Sequence, residues 1–191
     1  MIVRLAVFAS GFGSNAKNIH SYFVFSKNAR VVLFCSNNID SGIVSYAKKK
    51  LVPCCVFSKN QLNDSDFLPS VLAKNSVDLI VLAGFLLKIP EKLLSLYSKK
   101  IINIHPSLLP KYGGRGMYGD FVHSTVIDSG EKESGITIHY VNHSYDKGEV
   151  IFQEKCVVSK HDTVCSLKEK IRDLEHRFFP VVIEKLILNR F

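Results

Sequence analysis

No stretch of the 191-residue sequence stays apolar long enough to cross a membrane. The longest wholly apolar run is Leu79 to Leu87, and a spanning helix needs about 20 such residues. The start does not read as a secretory leader either: Met1 to Ser10 carries one charge, Arg4, and runs straight into a glycine turn. Cysteine is too irregular for a disulfide scaffold. The five residues are odd in number, and Cys54 and Cys55 are adjacent, which points to a reducing compartment. Internal repeats, low-complexity tracts and linkers are absent as well. Acidic residues are the remaining shortage: 17 Asp and Glu face 25 Lys and Arg, a net charge of +8. Such a balance favours anionic partners. Without an arginine-rich arm or basic–aromatic interleaving, however, scattered lysines such as Lys48–Lys50 and Lys99–Lys100 read as solvated surface more readily than as a nucleic-acid footprint. What is left, with 47% hydrophobic and 22% charged residues, is an ordinary globular composition. The expectation is a single cytoplasmic domain over 1–191, a monomer or homodimer, with no membrane and no nucleic-acid partner.

The apolar patterning alternates strand and helix. Val3–Ala9, Val31–Cys35, Pro53–Phe57, Leu79–Ala83 and Ile101–Ile104 read as strands, the fourth as one covered on both faces. Helices are expected from Asn15, over Gly42–Lys50, over Ser65–Lys74 capped by Asp64, and from Pro90 to Tyr97. This alternation implies a parallel, doubly wound sheet. Beyond residue 110 the pattern changes to a glycine-rich loop, a helix at Phe121–Asp128 and two strands, Ile136–Val141 and Val150–Val158. A C-terminal amphipathic helix follows, with Asp162 or Thr163 near its cap, carrying Leu167, Ile171, Leu174, Phe178, Val182 and Leu186 on one stripe. Sites in such sheets form outside the carboxyl ends of the strands, which selects the turns after Ala9, Ala83 and Ile104.

Three features there carry chemistry. The turn Gly11-Phe12-Gly13-Ser14-Asn15-Ala16 matches G-x-G-x-x-[GA], and amides opening the next helix suit a phosphate oxygen. A dinucleotide site also needs an acid at the end of the second strand. This chain has Phe34-Cys35-Ser36-Asn37-Asn38 there, and no Gly-Lys-Ser/Thr follows the turn, so a phosphomonoester fits better than NAD; a tight turn without ligand is the other reading. The second feature is Asn103-Ile104-His105-Pro106-Ser107-Leu108-Leu109-Pro110. Asn103 and His105 project to one side of an extended segment, where a carboxamide and an imidazole can stabilise an oxyanion and move a proton; equally, they can be satisfied core residues. No nucleophile elbow is present, so the attacking group would come from the substrate. The third is Asp146, in His143-Ser144-Tyr145-Asp146-Lys147-Gly148, either a turn aspartate or a carboxylate that favours the imidazolium form of His105. His139 and His143 are four apart on an extended run rather than a helix, so no metal site is expected.

Taken together, Ser10-Gly11-x-Gly13-Ser14-Asn15, Val81-Leu82-Ala83-Gly84-Phe85, the segment Asn103–Pro110 and Asp146-x-Gly148 resemble the folate-dependent formyltransferases, and within them the phosphoribosylglycinamide formyltransferases, from residue 2 to about 187. The resemblance implies a Rossmann-like α/β fold: a doubly wound, mostly parallel sheet with late antiparallel strands and a C-terminal amphipathic helix. Residues 1–100 would form a phosphate- and ribonucleotide-binding half, and 101–191 a catalytic and folate-binding half. It implies transfer of the formyl group of 10-formyltetrahydrofolate, a co-substrate, to glycinamide ribonucleotide in purine biosynthesis, without a metal.

By the same resemblance Asn103, His105 and Asp146 are the catalytic residues: the carboxamide polarises the formyl group, the imidazole is the general acid, and the carboxylate sets its ionisation and helps order a water. Gly13, Ser14 and Asn15 match the phosphate turn and Glu175 the glutamate that holds the glycinamide end. Leu86, Leu87, Lys88 and Ile89, with Asn142, His143, Ser144, Tyr145 and Asp146, match segments lining the folate pocket. The chain departs from many relatives in placing Leu87 before the basic Lys88, and Asp64-Ser65-Asp66 where others have an arginine. Its loop Lys111–Gly119 is richer in glycine, and reads either as a flap with Lys111 or Arg115 near an anion or as an ordinary flexible loop. Methionyl-tRNA formyltransferase shares the triad but adds a C-terminal β-domain, whereas this sequence stops after its last helix. Formyltetrahydrofolate deformylase adds an N-terminal regulatory domain and lacks Gly-Ser-Asn. A non-catalytic dinucleotide-binding module is disfavoured by Asn37.

Overall fold

The computed structural model describes residues 2–190. Continuous apolar runs build the centre of the sheet: β1 (Val3–Phe8), β4 (Leu79–Leu82) and β5 (Ile101–His105) are flanked by β2 (Ala29–Ser36) and β3 (Cys54–Val56) on one side, and by β6 (Glu133–Tyr140) and β7 (Val150–Val157) on the other. The seven strands lie in the order β3-β2-β1-β4-β5-β6-β7. The first five are parallel, and β6 and β7 are antiparallel to their neighbours. This matches the doubly wound expectation with late antiparallel strands.

Alternate residues of β1 feed two cores. Val3, Leu5 and Val7 pack beneath α1 (Ser14–Phe23), α2 (Gly42–Lys50), α6 (Asp120–Asp128) and α7 (Val164–Arg190). Ala6 and Phe8 face α3 (Lys59–Asn63), α4 (Phe67–Lys74) and α5 (Glu91–Leu96). Period-two side-chain alternation in a strand covered on both faces requires this division.

Two elements differ from expectation. Helix α3 has little apolar periodicity and is set by a capping box, in which the Ser58 hydroxyl accepts from the Gln61 amide and the Gln61 side chain accepts from the Ser58 amide. Helix α4 begins at Phe67 rather than Ser65, because the Asp64 carboxylate already accepts the amides of Asp66 and Phe67.

Strand order reverses between β1 and β4, the point at which an open α/β sheet leaves a crevice at its carboxyl end. The crevice is pinned by Ser10. Its amide donates to the Gly84 carbonyl at 3.0 Å, its hydroxyl accepts the Leu86 amide at 3.0 Å and donates to Asn37 Oδ1 at 2.7 Å. Asn37, standing where a dinucleotide site would carry its acid, is thus occupied in fastening the first turn.

Candidate active site

Above the switch point lies a cleft of about 760 Å³. All three turns selected from the sequence open into it, contributing Gly11–Asn15, Ala83–Leu86 and the Asn103–Pro106 segment. Helix α7 closes one wall with Arg172 and Glu175, and the glycine-rich loop closes another with Gly114–Gly119.

The first turn is shaped by Gly13, whose φ of +74° suits a residue without Cβ and whose missing Cβ would sit 3.0 Å from Ile43 Cβ. The amides of Ser14 and Asn15 therefore open α1 facing the cleft, where the helix dipole favours an anion. The Asn15 amide group donates to Glu175 Oε2 at 2.8 Å, while its buried Oδ1 has no partner among the described residues. Burial raises the Glu175 carboxyl above the ordinary range, against the opposing pull of that hydrogen bond.

The other end is built on β5 and β6. Pairing sets Asn103 opposite His139 and His105 opposite Thr137, so Asn103 and His105 share one side of the strand, as their spacing requires. His105 is 4% exposed. Its Nε2 lies 2.7 Å from the Tyr112 carbonyl; a carbonyl only accepts, so Nε2 carries a proton and Nδ1 is the nitrogen left for exchange. Nδ1 faces Asp146 Oδ2 at 3.6 Å, a charge contact longer than a direct hydrogen bond.

Asp146 sits at φ +54° in the turn after β6. Its Oδ2 accepts the Gly114 amide at 2.8 Å and its Oδ1 lies 3.6 Å from His139 Nε2. Burial alone would raise this carboxyl, but the charge of His105 and the Gly114 amide hold it below the usual carboxylate range. Gly148 completes the turn, since a Cβ there would overlap the Tyr140 carbonyl.

Asp146 favours the imidazolium form of His105, as expected, but it does not bring the ring's titration up to its ordinary value. Burial depresses the imidazole below its ordinary value, and the attractions of Asp146 and the Tyr112 carbonyl oppose that fall without reversing it. Resting His105 is therefore neutral at pH 7.

His139 is the principal site residue missed in the sequence. It is 2% exposed, donates from Nδ1 to the Tyr140 carbonyl at 2.8 Å and accepts the Asn103 amide at Nε2 at 3.1 Å. This fixes which way the Asn103 carboxamide points. Only the β5–β6 register reveals the pairing; along the chain His139 is one of several polar residues in a strand that also carries Glu133, Ser134 and Thr137. His123 of α6, with Lys168 and Arg172 of α7, also lines the cleft and was not singled out.

Among the residues matched to a folate pocket, Leu86, Asn103, Tyr145 and Asp146 line the cleft. Leu87 and Ile89 pack into the core below it, and Lys88 is exposed outside its lining. Asn142, His143 and Ser144 shape the turn: Asn142 bonds the Lys147 carbonyl and the Ser144 amide, and His143 pairs with Glu91 on the surface. No cluster of metal ligands occurs among the described residues, and no helix there is long and apolar enough to cross a membrane.

Comparison with known proteins gives one consistent answer. The formyl transferase family model matches residues 3–183. The chain is 42% identical over 193 residues to the chloroplastic phosphoribosylglycinamide formyltransferase of Arabidopsis thaliana, covering 98% of this chain and 66% of that protein. It is 34% identical to phosphoribosylglycinamide formyltransferase of Bacillus subtilis, covering 96% of this chain and 94% of that one. The chain thus spans just under two thirds of the plant relative's length but nearly all of the bacterial one's. Its structure superposes on the crystal structure of glycinamide ribonucleotide transformylase 1 from Geobacillus kaustophilus with a TM-score of 0.89 and 33% identity, covering 98% of this chain and all of the other. The match thus runs from β1 into the C-terminal helix, and by it the chain belongs to the formyl transferase family, among the phosphoribosylglycinamide formyltransferases.

Proposed function

We propose that this chain transfers the formyl group of 10-formyltetrahydrofolate to the amine of glycinamide ribonucleotide, in purine biosynthesis. The observation that carries the reading is the convergence of Asn103, His105 and Asp146 on the same cleft as the Gly11–Asn15 turn and Glu175. Residues 1–100 supply the phosphate turn and residues 101–191 the triad, with Glu175 and Arg172 of α7 reaching across to the ribonucleotide end and Leu86 to the folate end.

The substrate phosphate sits on the amides of Ser14 and Asn15 with Arg172 as the nearby cation, and no protonation is needed to hold it. Asn15 Oδ1, buried and unpartnered, is placed to accept an N–H of the glycinamide, while Glu175 holds the same end. Leu86 and Tyr145 mark the side on which the pterin enters, with segments 86–89 and 142–146 at that rim.

The amine lone pair forms a bond to the formyl carbon, and the carbonyl oxygen takes up negative charge. One N–H of Asn103 is committed to His139; the other donates to that oxygen. His105 serves from Nδ1, since Nε2 is tied to Tyr112. Charge growing on the oxyanion raises its proton affinity, and Asp146 stabilises the imidazolium that forms. The attacking amine loses a proton, the folate nitrogen gains one, and the bond from that nitrogen to the formyl carbon breaks. Tetrahydrofolate and formylglycinamide ribonucleotide leave.

The test is release of deformylated folate from 10-formyltetrahydrofolate with and without glycinamide ribonucleotide. Release that requires the ribonucleotide is the expected result. Release without it would make water the acceptor, and no release under either condition would overturn the reading.

A further inference from the structure

Tyr112 does not line the cleft, yet it governs the imidazole that does. It holds φ +55°, a left-handed conformation that a residue with a Cβ adopts only when its surroundings impose it. At the backbone end, the Tyr112 carbonyl accepts His105 Nε2–H at 2.7 Å, and Ser107 Oγ donates to the adjoining Lys111 carbonyl at 2.7 Å. At the ring end, the phenol donates to Glu131 Oε1 at 2.9 Å, and Lys111 Nζ donates to the same oxygen at 2.8 Å. Glu131 lies in the short turn between α6 and β6. The hydrogen bonds from Lys111 and Tyr112 keep its carboxyl below the usual range, so it accepts both donors at neutral pH.

We propose that Tyr112 and Glu131 are positioning residues for the transfer: a strut running from Glu131 through the Tyr112 ring to its carbonyl, fixing the His105 tautomer with Nε2 protonated and Nδ1 presented to Asp146 and the substrate. The inference deepens the formyl-transfer reading and rests on it.

The physical reason is the competition between two neutral tautomers. Left alone beside a carboxylate, the imidazole places its proton on Nδ1, toward Asp146, and becomes a satisfied neutral ring. The Tyr112 carbonyl holds that proton at Nε2 instead. The Nδ1 lone pair then faces the carboxylate, and a second proton arriving there is held by Asp146 at the side where substrate charge develops. The groups facing His105 are Asp146 from the turn after β6, His139 from β6 and His123 from α6. None of them is itself substituted in the Tyr112 and Glu131 variants.

Imidazole ¹⁵N shifts of His105, followed against pH in the resting full-length protein, test the strut directly, with kcat, KM and the pH profile of kcat alongside. Wild type should show the Nε2–H tautomer. Tyr112→Phe and Glu131→Ala should both move the neutral ring toward Nδ1–H, lower the titration midpoint by about half a pH unit and reduce kcat by about tenfold, with KM held within about twofold. Glu131→Gln, whose amide oxygen still accepts the phenol, should keep the wild-type tautomer and rate. A Tyr112→Phe protein with an unchanged tautomer, midpoint and kcat would overturn the proposal, as would a Glu131→Gln protein as impaired as Glu131→Ala. A wild-type protein that transfers no formyl group would instead sink the functional reading, while the ¹⁵N shifts still decide whether the strut sets the imidazole.

Discussion

His105 is asked to do two things that conflict at rest. Burial at 4% exposure depresses its proton affinity, and acid catalysis needs a proton at Nδ1. On the proposed mechanism Asp146, 3.6 Å away, resolves the conflict only as the oxyanion develops. His105→Ala should therefore cost on the order of a hundredfold or more in kcat, read in the ribonucleotide-dependent folate assay; near-full turnover would remove the residue from the mechanism. Asp146→Asn is the sharper experiment. The amide oxygen can still accept the Gly114 N–H, so the loop stays in place, but the negative charge that supports imidazolium is lost. His105 then titrates lower still, and the fall in rate with rising pH should begin at a lower pH than in wild type. A slower enzyme with an unmoved profile would reduce Asp146 to a fastening for the glycine loop.

Within the elements, α7 depends on a contact that its own sequence hides. It runs through Pro180, which has no amide to give the carbonyl four residues earlier, His176. Asn18 of α1 supplies the missing donor, its side-chain amide meeting the His176 carbonyl at 2.7 Å. One residue away, Asn15 holds Glu175, so the repair of a proline break and, on the proposed function, the substrate end of the cleft share one joint. Asn18→Ala should lower stability by about 1–2 kcal/mol, as expected for an orphaned carbonyl. It should also raise KM for the ribonucleotide more than for the folate. Denaturant unfolding and steady-state kinetics check the two halves separately, and a loss of stability with both KM values unchanged would uncouple the joint from the cleft.

Legibility in the sequence follows the same division. Local rules sufficed for the strands and for the placing of Asn103 and His105 on one side of β5, whereas the helix expected from Ser65 with Asp64 as its cap starts two residues later, with Asp66 at its N-cap. They also gave the α7 stripe, where Leu167, Ile171 and Val182 are buried while Leu174, Phe178 and Leu186 lie at its edge, the stripe continuing through Phe179, Ile183 and Ile187. What escaped was set by partners distant in the chain. His139 acquires its role from β-sheet register, Tyr112 from Glu131, and Asn18 from a proline 162 residues later. The short α3 escaped for a different reason: its capping box is readable, but five polar-rich residues carry no periodicity to draw attention to it.

At the scale of the whole molecule, the histidines are distributed unevenly between the two helical layers. His20 on α1, His123 on α6 and His176 on α7 belong to one layer, with His105 in the cleft beneath it; α3, α4 and α5 contain none. Burial is the first cause of a lowered pKa at all four positions. Each therefore binds its proton less readily folded than unfolded. As pH falls through the ordinary imidazole value of 6.5, the unfolded chain takes up protons that the folded state refuses, and stability declines. The loss begins near pH 6.5 and ends below the folded values. A second loss follows in the carboxylate range as Asp78, Asp146 and Asp162, the last held down to about 2, are forced to protonate. Glu175 acts in the opposite sense. Its raised pKa makes protonation favourable on folding, so it gives back part of the stability as the pH drops. The thermal midpoint should fall between pH 7.5 and pH 5.5, and a flat midpoint across that range would defeat the argument. Because the helical histidines whose proton affinity burial lowers, His20, His123 and His176, lie in one layer, hydrogen exchange at pH 5.5 should quicken in α1, α6 and α7 before it does in α3, α4 and α5. The layer that loosens first is the one that carries Asn15 and Glu175, so mild acid should weaken ribonucleotide binding before the sheet itself gives way.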